Sequence, residues 1–490
     1  MALLLEAKKG SPPHLFRTKT CKDDHIHRQV QLVLQHLIER VEKIYSVEQK
    51  VEQQQDAKRR KKRNSNLPEH QKSKKEMVGK TANGFSPYIE SCIMAPPKPN
   101  PFKARLKTQA ARVFLMHSEK YESLCNLVTA HKGRDKLLYS LLKATGIWRY
   151  LSIQKPAFAT MSHLEKFHAK GFLEVLRSPE DFSEQDQREF GLEDDCEVFP
   201  GLWEYAAAVC GASLQAAGAL LRGEADVAIN WGGGRHHARR ARAGGFCYAN
   251  DAVLAALHMT APRGPQGRRR RVLYVDIDVH HCDGVEEAFY YSDAVFCLSF
   301  HKHAPGFYPA DGSGAADRTG GGPGAHHTLN VPVGDGCGDA AFLRLFSWVL
   351  KRVLRYYKPE MIILQCGCDT LSSDPLGRWN LTSRGVAACV ALARRYGAPL
   401  LLLGGGGYAP RDTARCWAAA TAAAIAPGLL AALPSSIPDH PDFHRYGPGF
   451  EFHTAAHLIQ DSNVWLTSFG SIELVLGKKV EEYVNACKIS

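Results

Sequence analysis

The stretch Val272-Leu-Tyr-Val-Asp276-Ile-Asp278-Val-His280-His281-Cys-Asp283-Gly decides the reading of this chain. An apolar, β-branched run ends abruptly in carboxylates and imidazoles, which predicts a buried strand with chemistry at its end. Side chains two apart on a strand project to the same side, so Asp276, Asp278 and His280 are expected to line one face as the strand ends. Carboxylate oxygens and imidazole nitrogens suit a divalent metal, zinc above all. One Asp and one His would read as a strand end leaking into solvent. Several such groups within a few residues favour a metal site.

Three other segments repeat this layout. Val227-Ala-Ile-Asn-Trp runs into Gly232-Gly-Gly-Arg235-His236-His237, Met361-Ile-Ile-Leu-Gln-Cys-Gly-Cys ends in Asp369-Thr370, and Leu400 to Leu403 runs into Gly404-Gly-Gly-Gly-Tyr408. Helical patterns such as Ala252 to His258 and Arg384 to Tyr396 lie between them. Strands alternating with helices imply an α/β fold with a parallel sheet. Ligands of such sheets bind beyond the carboxyl ends of the strands, so four clusters point into one crevice.

These segments resemble the zinc-dependent histone deacetylases, and within them the class I group. The matching pieces are Asn230-Trp-Gly-Gly-Gly-Arg-His-His-Ala, Gly245-Phe-Cys-Tyr-Ala-Asn-Asp251, the Asp276 segment, and His303-Ala-Pro-Gly-Phe-Tyr-Pro309. Cys368-Asp-Thr370, Asp374-Pro-Leu376, Gly404 to Tyr408, Ile437-Pro-Asp-His440 and Tyr446-Gly-Pro448 also match, in the family's order, over roughly residues 110 to 455. The resemblance implies a single large α/β domain over 110–455, with a mainly parallel central sheet flanked by helices. It implies hydrolysis of N6-acetyl-lysine in proteins, histone tails foremost, and a role in chromatin repression.

The resemblance also assigns residues. Asp278, His280 and Asp369 become the ligands of one zinc ion. His237 becomes the principal general base and then acid, oriented by Asp283, and His236 pairs with Asp276 and tunes the site. On an extended segment two adjacent histidines would point apart, so the pair alone is weak evidence. Tyr408 becomes the donor to the tetrahedral oxyanion, and the four glycines before it read as mobile backbone that lets the phenol swing. Phe246 and Tyr308 become walls of a narrow acetyl-lysine tunnel, with Gly245 and Leu376 beside them. Asp195 resembles the rim carboxylate that grips the substrate backbone, and Arg134 the arginine guarding the acetate exit. Asp276, Asp278, Ser299 and Phe300 match a structural K⁺ or Na⁺ site. Cys282, Arg235 and Tyr308 depart from the common pattern, Arg235 standing where an apolar residue is usual. None of the three removes a ligand, base or oxyanion donor.

Composition bounds the rest. Of the chain's 490 residues, 62 are Lys or Arg and 50 Asp or Glu, a net charge of +12. Residues 1–110 hold 23 of the basic and 11 of the acidic ones, and the remainder holds 39 of each. The excess therefore belongs to an N-terminal extension, which argues against direct nucleic-acid binding by the catalytic domain. The 14 Cys lack paired metal-finger spacing. Most, such as Cys210, Cys297, Cys366 and Cys389, sit in apolar runs and read as buried free thiols of a reducing compartment. Cys366 and Cys368 are too close in sequence for a zinc knuckle and read as strand packing. No apolar run is long enough to span a membrane.

Residues 1–109 read as an appendage. Val30, Leu34, Leu37, Val41, Ile44 and Val51 make a short amphipathic helix or coiled coil over His27 to Val51, and Lys58-Arg-Arg-Lys-Lys-Arg63 reads as a nuclear-import run or a solvated tail. The expected location is the nucleus, with the cytoplasm also open. The expected partners are acetylated histones or other proteins, and a corepressor complex. Gly312 to Gly324 reads as a surface loop, Arg263 to Arg271 as a basic connection, and 456–490 as a tail with a weak helical pattern from Ile472 to Cys487. Three other readings compete. A polyamine deacetylase would want an acidic gate beyond Asp194 and Asp195, and a non-catalytic subunit a missing ligand or Tyr. A binuclear manganese ureohydrolase would need a fuller ligand set.

Overall fold

The computed structural model describes residues 111–262 and 267–457. The helix expected at His27 to Val51, the basic run Lys58 to Arg63 and the pattern from Ile472 to Cys487 lie outside the described residues, as does part of the Arg263 to Arg271 connection.

Eight strands form one sheet: β1 Val113–Met116, β2 Leu151–Gln154, β3 Val227–Asn230, β4 Val272–Asp276, β5 Val295–Lys302, β6 Thr328–Val333, β7 Met361–Gln365 and β8 Leu400–Leu403. Their order is β2-β1-β3-β8-β7-β4-β5-β6 and every pairing is parallel. The four strands carrying the chemical clusters, β3, β8, β7 and β4, are thus immediate neighbours. Their last residues are in register: Asn230 beside Leu403, Leu403 beside Gln365, Gln365 beside Asp276. The segments that leave these four strands must emerge along one edge, which is why four distant parts of the chain meet.

The two-residue period sorts each strand between two cores. Leu273, Val275, Ile362, Leu364, Leu400 and Leu402 pack in one; Val272, Tyr274, Met361, Ile363, Leu401 and Leu403 pack in the other. The first is covered by helices α1 Arg134–Ala144, α5 Asp339–Tyr357, α6 Ser383–Arg394 and α7 Pro410–Ile425, and the second by α2 Leu202–Leu221, α3 Asp251–Thr260 and α4 Asp283–Phe289. Both faces are buried, as a parallel sheet requires. Each buried Leu or Ile contributes about 1.5–3 kcal/mol. Local signals start the helices: Asn250 caps α3 by accepting from the Val253 N–H, Thr382 caps α6, and Pro410 opens α7.

Two expectations need correction. β4 stops at Asp276, so Asp278 and His280 do not continue the strand's alternation. Past Asp276 the backbone keeps single bonds to β7 and β5, Ile277 N–H to the Gln365 carbonyl and Lys302 N–H to the Val279 carbonyl, and its other N–H groups turn to carboxylates. The N–H of Asp278 donates to Asp276 Oδ1 at 2.9 Å, and that of Val279 to Asp369 Oδ1 at 3.0 Å. The Gly312 to Gly324 segment is not wholly superficial: Gly314 is buried, and its carbonyl lies 2.9 Å from His301 Nε2. The eleven cysteines among the described residues are all buried, including Cys366 and Cys368 just beyond β7. No helix among the described residues is long and apolar enough to cross a membrane.

Candidate active site

Ligand atoms of Asp278, His280 and Asp369 lie within 4.8 Å of one another, and all three residues are buried. His280 Nδ1 is 3.0 Å from Asp369 Oδ2 and 3.3 Å from Asp278 Oδ1. The backbone fixes the carboxylates from behind: Gly406 N–H donates to Asp278 Oδ2 at 2.8 Å, and Val279 N–H to Asp369 Oδ1. Burial, and then the charge on Asp278, push the Asp369 carboxyl well above its ordinary range. Two carboxylates this close in a dry site repel, so either one takes up a proton or a cation sits between them. Two oxygens and one imidazole from three protein residues are the donor set of an open zinc centre, so the residues present fit the metal.

Glycines shape this centre by smallness. A Cβ on Gly406 would stand 2.1 Å from Asp369 Oδ2, and Gly407 sits at φ +134°, a region closed to most side chains. The glycine run before Tyr408 therefore brings backbone against the two carboxylates. Close approach accounts for Gly406, and positive φ for Gly407.

His236 and His237 do not point apart. They lie in a turn, not an extended segment, and their Nε2 atoms meet at 3.0 Å. Each Nδ1 faces a carboxylate: His236 meets Asp276 Oδ2 at 2.8 Å, and His237 meets Asp283 Oδ1 at 2.6 Å. A carboxylate only accepts, so both Nδ1 atoms carry hydrogen and the Nε2 edges face the site. Burial opposes charge on His236, but Asp276 and then Asp278 outweigh it and push the ring up to about 9. Burial and the neighbouring charge of His236 push His237 down to about 4, against the pull of Asp283. The environment thus favours the charged form of His236 and the neutral form of His237.

Tyr408 enters from the end of the glycine run. Its backbone N–H donates to Asp374 Oδ2 at 2.7 Å, while Asp374 Oδ1 accepts from the Leu376 N–H at 2.9 Å. Its ring lies 5.5 Å from that of Phe246 and stacks at 5.9 Å on His131. Burial, then the charges of Asp369 and Asp278, hold its phenol well above the ordinary range, so the hydroxyl stays a donor.

Asp195 and Tyr308 line one cavity beside His237. Tyr308 meets the His237 ring edge-on at 4.8 Å, and Tyr308 and Leu376 are 37% and 42% exposed. Gly245 and Phe246 both have positive φ, +55° and +61°, and the Gly245 N–H donates to Asp195 Oδ2 at 3.0 Å. A cavity of about 420 Å³ lies against Asp195, His237, Gly244, Tyr308 and Asp311. Ser299 is Asp276's neighbour on β5, its Oγ 2.9 Å from His301 Nδ1, whereas the Phe300 side chain packs against Phe342 and Phe346 in the core.

Sequence reasoning missed the supports. Tyr274 donates to Asp276 Oδ2 at 2.5 Å. It stands two residues before Asp276 on β4, so alternation could have found it. Arg239 Nη2 donates to Asp283 Oδ2 at 2.8 Å and the same guanidinium also meets Glu287 and Asp311. Asn250 Nδ2 donates to the carbonyl of Ala238 at 2.9 Å, and its own N–H donates to His168 Nε2 at 2.9 Å. Asp251 accepts from the N–H groups of Gly234 and Arg235 and from Ser213 Oγ. Together Asn250 and Asp251 hold the histidine turn, and no local signal marks them for that task.

Residues 129–424 match the model of the histone deacetylase domain. The chain is 39% identical over 360 residues to histone deacetylase 8 of Danio rerio, covering 73% of this chain and 92% of that protein. It is 38% identical over 334 residues to histone deacetylase 1 of Homo sapiens, 67% of each chain. Histone deacetylase 6 of Arabidopsis thaliana is 40% identical over 336 residues, 67% of this chain and 69% of that one.

Proposed function

Since this chain belongs to the histone deacetylase family, we infer that it hydrolyses acetyl-lysine in proteins, releasing acetate and free lysine. One observation carries the reading. A buried Asp278, His280, Asp369 triad sits beside two histidines, each backed by its own carboxylate, with a phenol close by.

The three triad residues hold one zinc ion per chain. When bound, zinc polarises the amide carbonyl and makes water acidic enough to attack. His237, neutral and oriented by Asp283, takes the proton of the attacking water at Nε2 and returns it to the lysine amine. His236, against Asp276, keeps its proton and sets the field. The Tyr408 hydroxyl donates to the oxyanion, a contact worth on the order of 3–4 kcal/mol. Phe246, Tyr308, Gly245 and Leu376 line the entry for the acyl-lysine chain, and Asp195 grips the peptide backbone at the rim. A structural K⁺ or Na⁺ is held near Asp276, Asp278, Ser299 and Phe300, partly through backbone oxygens. The substrates are acetylated histones, met in the nucleus through a corepressor complex, with residues 1–109 as a separate addressing segment.

The decisive experiment is turnover of an acetyl-lysine peptide by the purified full-length protein, with and without a zinc-chelating hydroxamate. Turnover that the hydroxamate abolishes is expected. No turnover by the zinc-loaded protein would remove this reading.

A further inference from the structure

Arg134 and Arg235 are 1% and 2% exposed and lie one layer behind Tyr408. Arg134 Nη1 donates to the carbonyl of Gly407, the residue before Tyr408, at 3.1 Å. Arg235 Nη1 lies 3.2 Å from Nδ1 of His131, whose ring stacks on Tyr408, and its Nη2 donates to the carbonyls of Gly232 and Gly233. Burial, and then the two guanidinium charges, hold His131 well below its ordinary range, so it is neutral and adds no negative charge.

Buried guanidinium groups are normally hydrogen-bonded to carboxylates, often through two parallel bonds. Among the described residues these two are not. Asp135 Oδ2 stands 3.9 Å from Arg134 Nε, and neither Asp135 oxygen is hydrogen-bonded. Asp251, the acid nearest the Arg235 backbone, is spent on two N–H groups and the Ser213 hydroxyl. The Nε atoms of both arginines and the hydroxyls of Tyr139 and Tyr205 have no hydrogen-bond partner among the described residues. The cluster thus holds two buried guanidinium charges with no carboxylate hydrogen-bonded to either and with both Nε–H groups unpaired among the described residues, a composition that suits an anion.

Its position says which anion. An acyl-lysine entering past the exposed Tyr308 and Leu376 presents its carbonyl to Tyr408. Any acyl chain beyond that carbonyl continues inward, toward these arginines. We propose that Arg235 and Arg134 form a carboxylate-binding site behind Tyr408, which favours acyl-lysines whose acyl group itself ends in a carboxylate. This rests on the reading of the chain as an acyl-lysine hydrolase. Arg235 is the specificity-determining residue, because it adds the second guanidinium where the family resemblance leads one to expect an apolar side chain.

The test compares full-length protein with its Arg235→Leu, Arg235→Gln and Arg235→Lys variants on two peptides, one succinyl-lysine and one butyryl-lysine, acyl chains of equal carbon number. The ratio of kcat/KM, succinyl over butyryl, is expected to fall about tenfold or more in Leu and Gln and to be largely kept in Lys. In parallel, free succinate should raise the Tm of the unaltered protein, relative to sodium chloride of equal ionic strength, and fail to do so for Leu and Gln. Two neutral variants guard against one failing to fold. A ratio unchanged by Leu or Gln, with butyryl-lysine or acetyl-lysine still turned over, overturns the carboxylate site. Arg235-dependent stabilisation by succinate with no turnover of any acyl peptide upholds the site and removes the hydrolase reading instead. Absence of succinate stabilisation in the unaltered protein also overturns the site.

Discussion

His236 and His237 are adjacent in sequence and face each other in space, with Nε2 atoms 3.0 Å apart and separate carboxylates behind them. Asp276 and Asp278 push His236 up to about 9, whereas burial and the charge on His236 push His237 down to about 4. The pair is therefore unequal. His237→Ala should lose more in kcat/KM than His236→Ala, by about tenfold or more, equivalent to roughly 1.4 kcal/mol. Both variants should keep zinc, because neither ring belongs to the ligand triad. Steady-state kinetics on zinc-reconstituted variants decide it, and a greater loss for His236→Ala would reverse the assignment.

Asp278→Ala and Asp369→Ala should each lose zinc and activity together. With only three protein ligands, removing one leaves too few to hold the ion, and the backbone N–H groups of Gly406 and Val279 lose their acceptors as well. Elemental analysis of the purified variants is the check. One full equivalent of zinc in either would count against the triad.

Tyr408→Phe removes a hydroxyl and nothing else. Its backbone bond to Asp374 and its stacking on His131 do not use that hydroxyl. Zinc content should be unchanged while kcat falls about 10²-fold or more. Near-normal turnover would remove the phenol from the mechanism.

His168 ties stability to pH. Its Nε2 accepts the Asn250 N–H at 2.9 Å, which a proton on that nitrogen would abolish, and burial pushes the ring down to about 4. The unfolded chain, near 6.5, takes up the proton first. The folded state is thus fully favoured above pH 6.5 and loses up to about 3 kcal/mol from this group as pH falls toward 4. His117 and His453, also depressed by burial, act in the same direction. Urea unfolding between pH 7 and 4.5 should show a shallower decline for His168→Gln than for the unaltered protein. An identical slope would falsify the linkage.

Deletion of residues 1–109 should leave peptide deacetylation within a few-fold of the full chain and abolish nuclear accumulation. All of the net positive charge lies in that region, and every residue of the active site lies outside it. Loss of activity in a folded product would sink the separation of roles, and unchanged nuclear accumulation would sink the import reading of Lys58 to Arg63.

The sequence alone located four of the eight strands, β3, β4, β7 and β8, and the polar clusters that follow them. Apolar runs such as Met361 to Gln365 and Leu400 to Leu403 are local patterns, and a strand's two-residue period needs no knowledge of its neighbours. The family resemblance named the triad, the histidine pair and Tyr408 from motifs that are contiguous in the chain. The tertiary structure decided what contiguity cannot. Parallel register set Asn230, Leu403, Gln365 and Asp276 in one row, so that Asp369 meets His280 across 89 residues of chain. A turn held by Asn250 and Asp251 rotated two adjacent histidines toward each other, where an extended backbone would have parted them. Arg239 came to rest on Asp283, and Arg235 beside His131, because folding placed them there. Hydrogen bonds, ion pairs and burial act between groups near in space, and chain proximity constrains that only over a few residues.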